Sequence, residues 1–220
     1  MSDSARNAVL DSVRKALGRD CELDASIETA LDGRLNDSGP HVLPVFDEPP
    51  LERFVDKLET VHATTVRVAG VADIAAAIDS YIGAHRLPTN IVVARSALLD
   101  NIDWPAAFHV EHRGATVDDV VSVTEALAGI AETGTLVCGS SESHPTSLNF
   151  LPENHVVVIS ESRLYKHMEE VWQELRRLPG GLPRAVNLIT GPSKTADVEQ
   201  TIQYGAHGPR RLHVIIIEQH

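Results

Sequence analysis

The spacing of apolar positions divides the chain into periodic and aperiodic stretches. Ala5, Val9, Val13 and Leu17 recur at helical intervals, with Leu10 and Ala16 beside them, and predict an amphipathic helix over residues 3–17 that stops at Gly18. From 19 to 50 no period is sustained. Gly33, Gly39, Pro40, Pro44, Pro49 and Pro50 punctuate this stretch, which reads as a linker. The pattern therefore predicts an N-terminal helix-and-linker arm over 1–50 and an α/β domain over 51–220.

Periodicity returns at Leu51. Leu51, Phe54, Val55, Leu58 and Val61 mark one helical face, and Thr64–Ala69 alternates like a strand. Val71–Arg86 predicts a helix with Ile74, Ala75, Ile78 and Ile82 facing inward, and Ile91–Ala94 a short buried strand. Strands are then expected at Val120–Val123, Thr135–Cys138, His155–Ile159, Ala185–Ile189 and Leu212–Ile217. A short helix is expected over Glu125–Ala131, and a longer one from a Ser162 cap through Arg177. Strands that are continuously aliphatic are buried on both faces, and the αβαβ rhythm predicts a mostly parallel sheet flanked by helices. No internal repeat is present.

Composition narrows the function. The 220 residues suffice for one large core, filled by Val, Ile, Leu and Ala because aromatics are only 4%. A net charge of −12 leaves no overall basic footprint for nucleic acid or for an anionic membrane surface. No apolar run approaches the roughly 20 residues a membrane helix needs, and residues 1–18 lack a signal-peptide core, so membrane insertion is not expected. The two cysteines, Cys21 and Cys138, fit a reducing, cytoplasmic setting and are too few for an iron–sulfur cluster. No flavin, haem or dinucleotide fingerprint is present, so no cofactor is expected.

Two segments carry candidate chemistry. In Ala131-Glu132-Thr133-Gly134-Thr135, Gly134 permits close backbone approach, Thr133 and Thr135 offer hydroxyls, and Glu132 offers a carboxylate for base or nucleophile work. A plain turn after a helix explains the same residues. The second segment follows the strand ending at Ile189: Thr190-Gly191-Pro192-Ser193-Lys194-Thr195-Ala196-Asp197, continuing to Gly205-Ala206-His207-Gly208-Pro209-Arg210. Gly191, Ser193, Lys194, Thr195 and Arg210 would bind a small organic anion, with Asp197 and His207 as further catalytic candidates; a structured crossover before an edge strand explains the same residues equally well. It is not a Walker A loop, because one glycine alone precedes Lys194. Placed at the carboxyl edge of one sheet, the two segments would converge on a shared cleft. His144 and His155 bracket a polar loop; solvated histidines explain them, and lining a cleft is the other reading. Gly139-Ser140-Ser141-Glu142-Ser143 lacks the second glycine of a nucleophile elbow.

The stretches Ala131–Thr135, Leu151-Pro152-Glu153-Asn154-His155, Gly191-Pro192-Ser193-Lys194-Thr195-Ala196-Asp197-Val198-Glu199 and Gly205-Ala206-His207-Gly208-Pro209 occur in one order over roughly the C-terminal 90 residues. They resemble the A-E-[ST]-G-T, L-P-x-x-H, G-P-S-[RK]-T-A-D-[IV]-E and G-x-H-G-P signatures of the lactate utilization protein C (LUD-domain) family. The resemblance implies a Rossmann-like three-layer α/β sandwich, similar to the sugar-isomerase and CoA-transferase group. It also implies the non-cluster subunit of a system that oxidises L-lactate to pyruvate, with iron–sulfur subunits as partners. Part of the family carries an arginine between the first two signatures. Here Glu142-Ser143-His144-Pro145-Thr146 has none, so His144 or Lys194 takes over any anion-binding duty, or the ligand differs. Whether the chain is itself an enzyme stays open: a stand-alone isomerase or acyl-transferase using Glu132, and a ligand-binding regulatory module, remain alternatives.

Overall fold

A computed structural model describes residues 3–18, 24–36, 42–195 and 203–218. The chain divides into two compact units, Met1–Pro44 and Val45–His220. The first carries α1 (Asp3–Ala16) and α2 (Ala25–Asn36). The second helix lies where the sequence shows no period. Its start is fixed locally instead: the Asp24 carboxylate accepts the Ser26 backbone N–H at 2.8 Å and the Ser26 hydroxyl at 2.6 Å.

The second unit is built on six parallel strands. They are β1 (Thr64–Val68), β2 (Asn90–Val93), β3 (His109–Glu111), β4 (Val121–Glu125), β7 (Asn154–Ser160) and β12 (Arg211–Ile217), ordered β1-β12-β7-β4-β2-β3. The expected α/β class and mostly parallel central sheet are therefore present. Along β7, Val156 and Val158 enter one core while Val157 and Ile159 enter another, as a strand covered on both faces requires. The first core is closed by α4 (Ile74–His85) through Ile74, Ile78 and Ile82. The second is closed by α3 (Pro50–Thr60) through Leu51, Phe54 and Leu58, together with a second sheet.

That second sheet departs from the sequence reading. Its order is β8-β5-β6-β9, formed by β5 (Ala128–Ile130), β6 (Thr135–Gly139), β8 (Leu164–Tyr165) and β9 (Val186–Ile189). Residues 125–131, expected as a helix, finish β4 and form β5. Ala128 and Ile130 are buried against Val171 and Leu175, and the short apolar run pairs with β6 rather than coiling. The helix expected from Ser162 begins only at α6 (Met168–Arg176). Leu164 and Tyr165 are taken as a strand by Gly129 and Ile130, and Glu170 accepts the backbone N–H groups of Lys166 and His167 at the helix start. The strand expected at Ala185–Ile189 belongs to this small sheet, antiparallel to β6, and not to the parallel one. The remaining elements are α5 (Ser147–Phe150) and an antiparallel arm of β10 (Lys194–Thr195) with β11 (Gln203–Tyr204). No helix among the described residues is long and apolar enough to cross a membrane.

Candidate functional site

The strand order fixes where a ligand site is expected. From β2 the chain moves outward to β3, whereas from β4 it moves the other way to β7. The carboxyl ends of the neighbouring strands β2 and β4 thus flank a topological switch point, where open α/β sheets bind ligands. A crevice of about 430 Å³ opens there. Arg95 and Ser96 follow β2 into it, Glu125 ends β4, and Ser140, Ser141 and His144 follow β6. The Arg95 backbone N–H donates to Ser143 O at 2.8 Å, tying the β2 end to the β6–α5 loop. The Arg95 guanidinium stays 58% exposed and only partly neutralised, 3.5 Å from Asp100.

Polar groups continue behind the crevice. His144 is 9% exposed, and its Nε2 lies 3.2 Å from Asn149 Oδ1. Burial lowers the His144 pKa, opposed by the Asn149 bond and the nearby Glu125 charge. His155 is fully buried with Nε2 2.7 Å from the Thr124 hydroxyl, and burial, reinforced by the nearby His144, pushes its pKa down to about 3. His155 Nδ1 and Asn149 Nδ2 are buried without a partner among the described residues.

Of the residues singled out from sequence, His144 lies at this crevice, and the two Thr- and Gly-bearing segments lie elsewhere. Ala131–Gly134 is the turn between β5 and β6, and Thr190–Gly191 leaves β9, whose last residue pairs with Leu136. A chain of hydroxyls joins the two turns: Thr133 to Thr135 at 2.7 Å and Thr135 to Thr190 at 2.6 Å. Gly134, at φ 67°, lies on α3, where an added Cβ would come within 2.6 Å of Lys57 Cβ and 2.8 Å of Leu58 N. Gly191, at φ 83°, lies against Val61, just before β1. These turns therefore sit toward the amino ends of the parallel strands, not at their carboxyl edge as the sequence reading placed them.

Glu132 faces a different set of groups. Its Oε2 lies 3.1 Å from His167 Nδ1, and its N–H donates to Lys166 O. The His167 ring stands 5.4 Å from that of Phe46, over which the Arg53 guanidinium lies at 4.0 Å. No hydrogen bond or ion pair among the described residues joins Glu132 to Lys194 or His207. Ser193 is held by its own surroundings: its N–H donates to Pro209 O at 2.8 Å, and its hydroxyl accepts the His207 N–H at 3.3 Å. That backbone nitrogen, one of those expected to hold an anion, is spent, and Pro192 has none to offer. Lys194 and Thr195 form β10, and Lys194, His207 and Arg210 are exposed. Asp197 lies outside the described residues.

The sequence reading missed Arg95, Glu125 and His167. Arg95 had a signal: it immediately follows the aliphatic run Ile91–Ala94, at the carboxyl end of a predicted parallel strand. Glu125 and His167 had none, because both had been placed inside helices.

Comparison with known proteins agrees with this architecture. An uncharacterized protein of Neisseria meningitidis is 36% identical over 57% of this chain and 55% of its own length. The chain thus spans about half the length of that relative. The Lactate utilization protein C of Shouchella clausii is 29% identical over 74% of this chain and 69% of its own length. The crystal structure of a DUF162 family protein from Deinococcus radiodurans shares the fold, with a TM-score of 0.55 at 20% identity, covering 79% of this chain and 99% of that one. The model of the LUD domain matches residues 51–217, and the chain belongs to the LUD domain family.

Proposed function

We propose that this chain serves lactate utilization as a non-cluster subunit that binds a small monocarboxylate in the carboxyl-edge crevice and works with iron–sulfur partner proteins that oxidise L-lactate to pyruvate. The observation that carries the reading is the placement of Arg95 at the switch point of the parallel sheet, beside the polar loop 140–144. The relative named for lactate utilization supports the biological setting.

The lining selects for charge. Arg95 supplies one cation and Glu125 one anion, with serine hydroxyls between. One guanidinium suits one carboxylate, whereas Glu125 repels a second negative charge, so phosphate and dicarboxylates are disfavoured. Two cysteines are too few for a cluster held by this chain alone, so the reading assigns the electrons from lactate to an iron–sulfur partner. Deleting the gene should abolish growth on L-lactate as sole carbon source, and affinity purification of the full chain from lactate-grown cells should recover a cysteine-rich iron–sulfur protein. Normal growth of the deletion strain on L-lactate would overturn the reading.

A second reading has one observation in its favour. Glu132 and His167 form a carboxylate–imidazole pair beside the Thr133, Thr135 and Thr190 hydroxyls, the groups an acyl-transferase or isomerase would use. There Gly191, Ser193, Lys194, Thr195 and Arg210 would hold the substrate anion. Turnover of a carbonyl or thioester substrate by the pure chain, lost in Glu132→Gln, would establish it.

A further inference from the structure

We infer that His144 is the hydroxyl-recognising residue of the carboxyl-edge crevice: its Nδ1 lone pair accepts a hydrogen bond from the 2-hydroxyl of a 2-hydroxy monocarboxylate whose carboxylate faces Arg95. This rests on the carboxylate-pocket reading above and specifies what the pocket selects.

With Asn149 Oδ1 as the acceptor of this contact, the proton sits on the ring nitrogen 3.2 Å from it, Nε2. A neutral imidazole then has its lone pair on Nδ1. Nε2 is committed to Asn149, and His144 is one of the residues that line the crevice. Asn149 is 1% exposed, so the ring is oriented from behind by a group with little freedom to turn. Burial independently favours the neutral form.

The surroundings are more polar than packing demands. His155 Nδ1 and Asn149 Nδ2 stay buried without partners among the described residues, beside the Thr124–His155 hydrogen bond. Unpaired buried polar groups cost stability, and an aliphatic core would avoid that cost. Their presence near His144 fits a ring held in a defined orientation and protonation state. A lone-pair acceptor discriminates by hydroxyl: lactate can donate to it, propanoate has nothing to donate, and the pyruvate keto oxygen meets it lone pair to lone pair.

The test is calorimetry of the full chain with L-lactate, propanoate and pyruvate at neutral pH. The wild type should bind L-lactate roughly five- to tenfold more tightly than either competitor, the range for one net hydrogen bond. His144→Phe should bring the three affinities within about twofold while keeping propanoate binding. Equal affinities in the wild type, or undiminished discrimination in His144→Phe, would overturn the inference and leave the carboxylate pocket standing. No binding of any of the three would overturn both. Nitrogen-15 NMR of the unliganded wild type, with the His144 ring assigned by through-bond correlation from its own backbone, gives a readout independent of folding of the variant. A proton on Nε2 is expected, and a proton on Nδ1 would refute the assignment.

Discussion

The two polar regions of the LUD domain are built in opposite ways. At the carboxyl edge of the parallel sheet, loops from β2, β4 and β6 meet around an open crevice, and two buried unpartnered polar atoms, on His155 and Asn149, lie behind it. Toward the amino side, the β5–β6 turn and Thr190–Gly191 close on α3 and each other through hydroxyl contacts and two glycines with no room for a side chain. The first region leaves space for a ligand, whereas the second is filled by the chain itself. A motif rich in Thr and Gly can therefore report packing rather than binding, because the features that let a backbone approach a phosphate also let it approach a helix.

The largest expected effect tests that packing role. Gly134→Ala should destabilise the domain by about 3–5 kcal/mol, combining a left-handed φ with overpacking against α3 backbone that cannot turn aside. Denaturant unfolding measures it. A variant of wild-type stability would mean that the turn is free to move off α3, and the amino-side region would then have room for a ligand after all.

The contrast also explains what was legible in the sequence. Five of the six parallel strands were readable, β7 and β12 most plainly because each carries a four-residue aliphatic run, Val156–Ile159 and Val214–Ile217, as a doubly covered strand tolerates. The segment Glu125–Ala131 was misread because a three-residue strand of Ala, Gly and Ile has too few positions to show any period; its pairing with β6 and β8 is a tertiary decision. That single error placed Glu132 at a helix end rather than in a hairpin turn and left β9 in the wrong sheet. The carboxyl-edge site was half-legible. His144 stood out as a loop histidine, and its partner Asn149 is only five residues on, but its neighbourhood with Arg95 joins chain segments about 50 residues apart.

A paired substitution decides which region holds the anion. Arg95→Ala should weaken L-lactate binding by about 1.5–3 kcal/mol, the worth of a charged hydrogen bond, with stability unchanged because the side chain is exposed. Lys194→Ala, read in parallel by calorimetry, should leave that affinity within about 0.5 kcal/mol of wild type. The reverse outcome, loss with Lys194→Ala alone, would move the site to the Gly191–Arg210 segment.

The smallest effect concerns the polar core behind the crevice and appears only as a slope. Burial depresses the pKa of His155 from 6.5 to about 3 and that of His213, on β12, to about 4. Between those values and 6.5 the unfolded chain holds protons that the folded chain rejects, so stability falls as pH drops below 6.5. Each histidine contributes a slope of roughly 1 kcal/mol per pH unit between pH 6 and 5. Replacing His155 with Leu should remove one such contribution and leave that of His213, whatever the substitution does to absolute stability. His213 serves as the internal standard: it stacks on Tyr81 at 4.3 Å and bonds Thr64 at 2.8 Å, away from the crevice. Denaturant unfolding at pH 6 and pH 5 reads the difference. An unchanged slope in His155→Leu would mean that His155 is protonated in the folded protein, so that water reaches behind the crevice. His144 would then lose the dry, fixed backing that sets its tautomer, and the distinction between an open carboxyl-edge site and a solid interior behind it would fail.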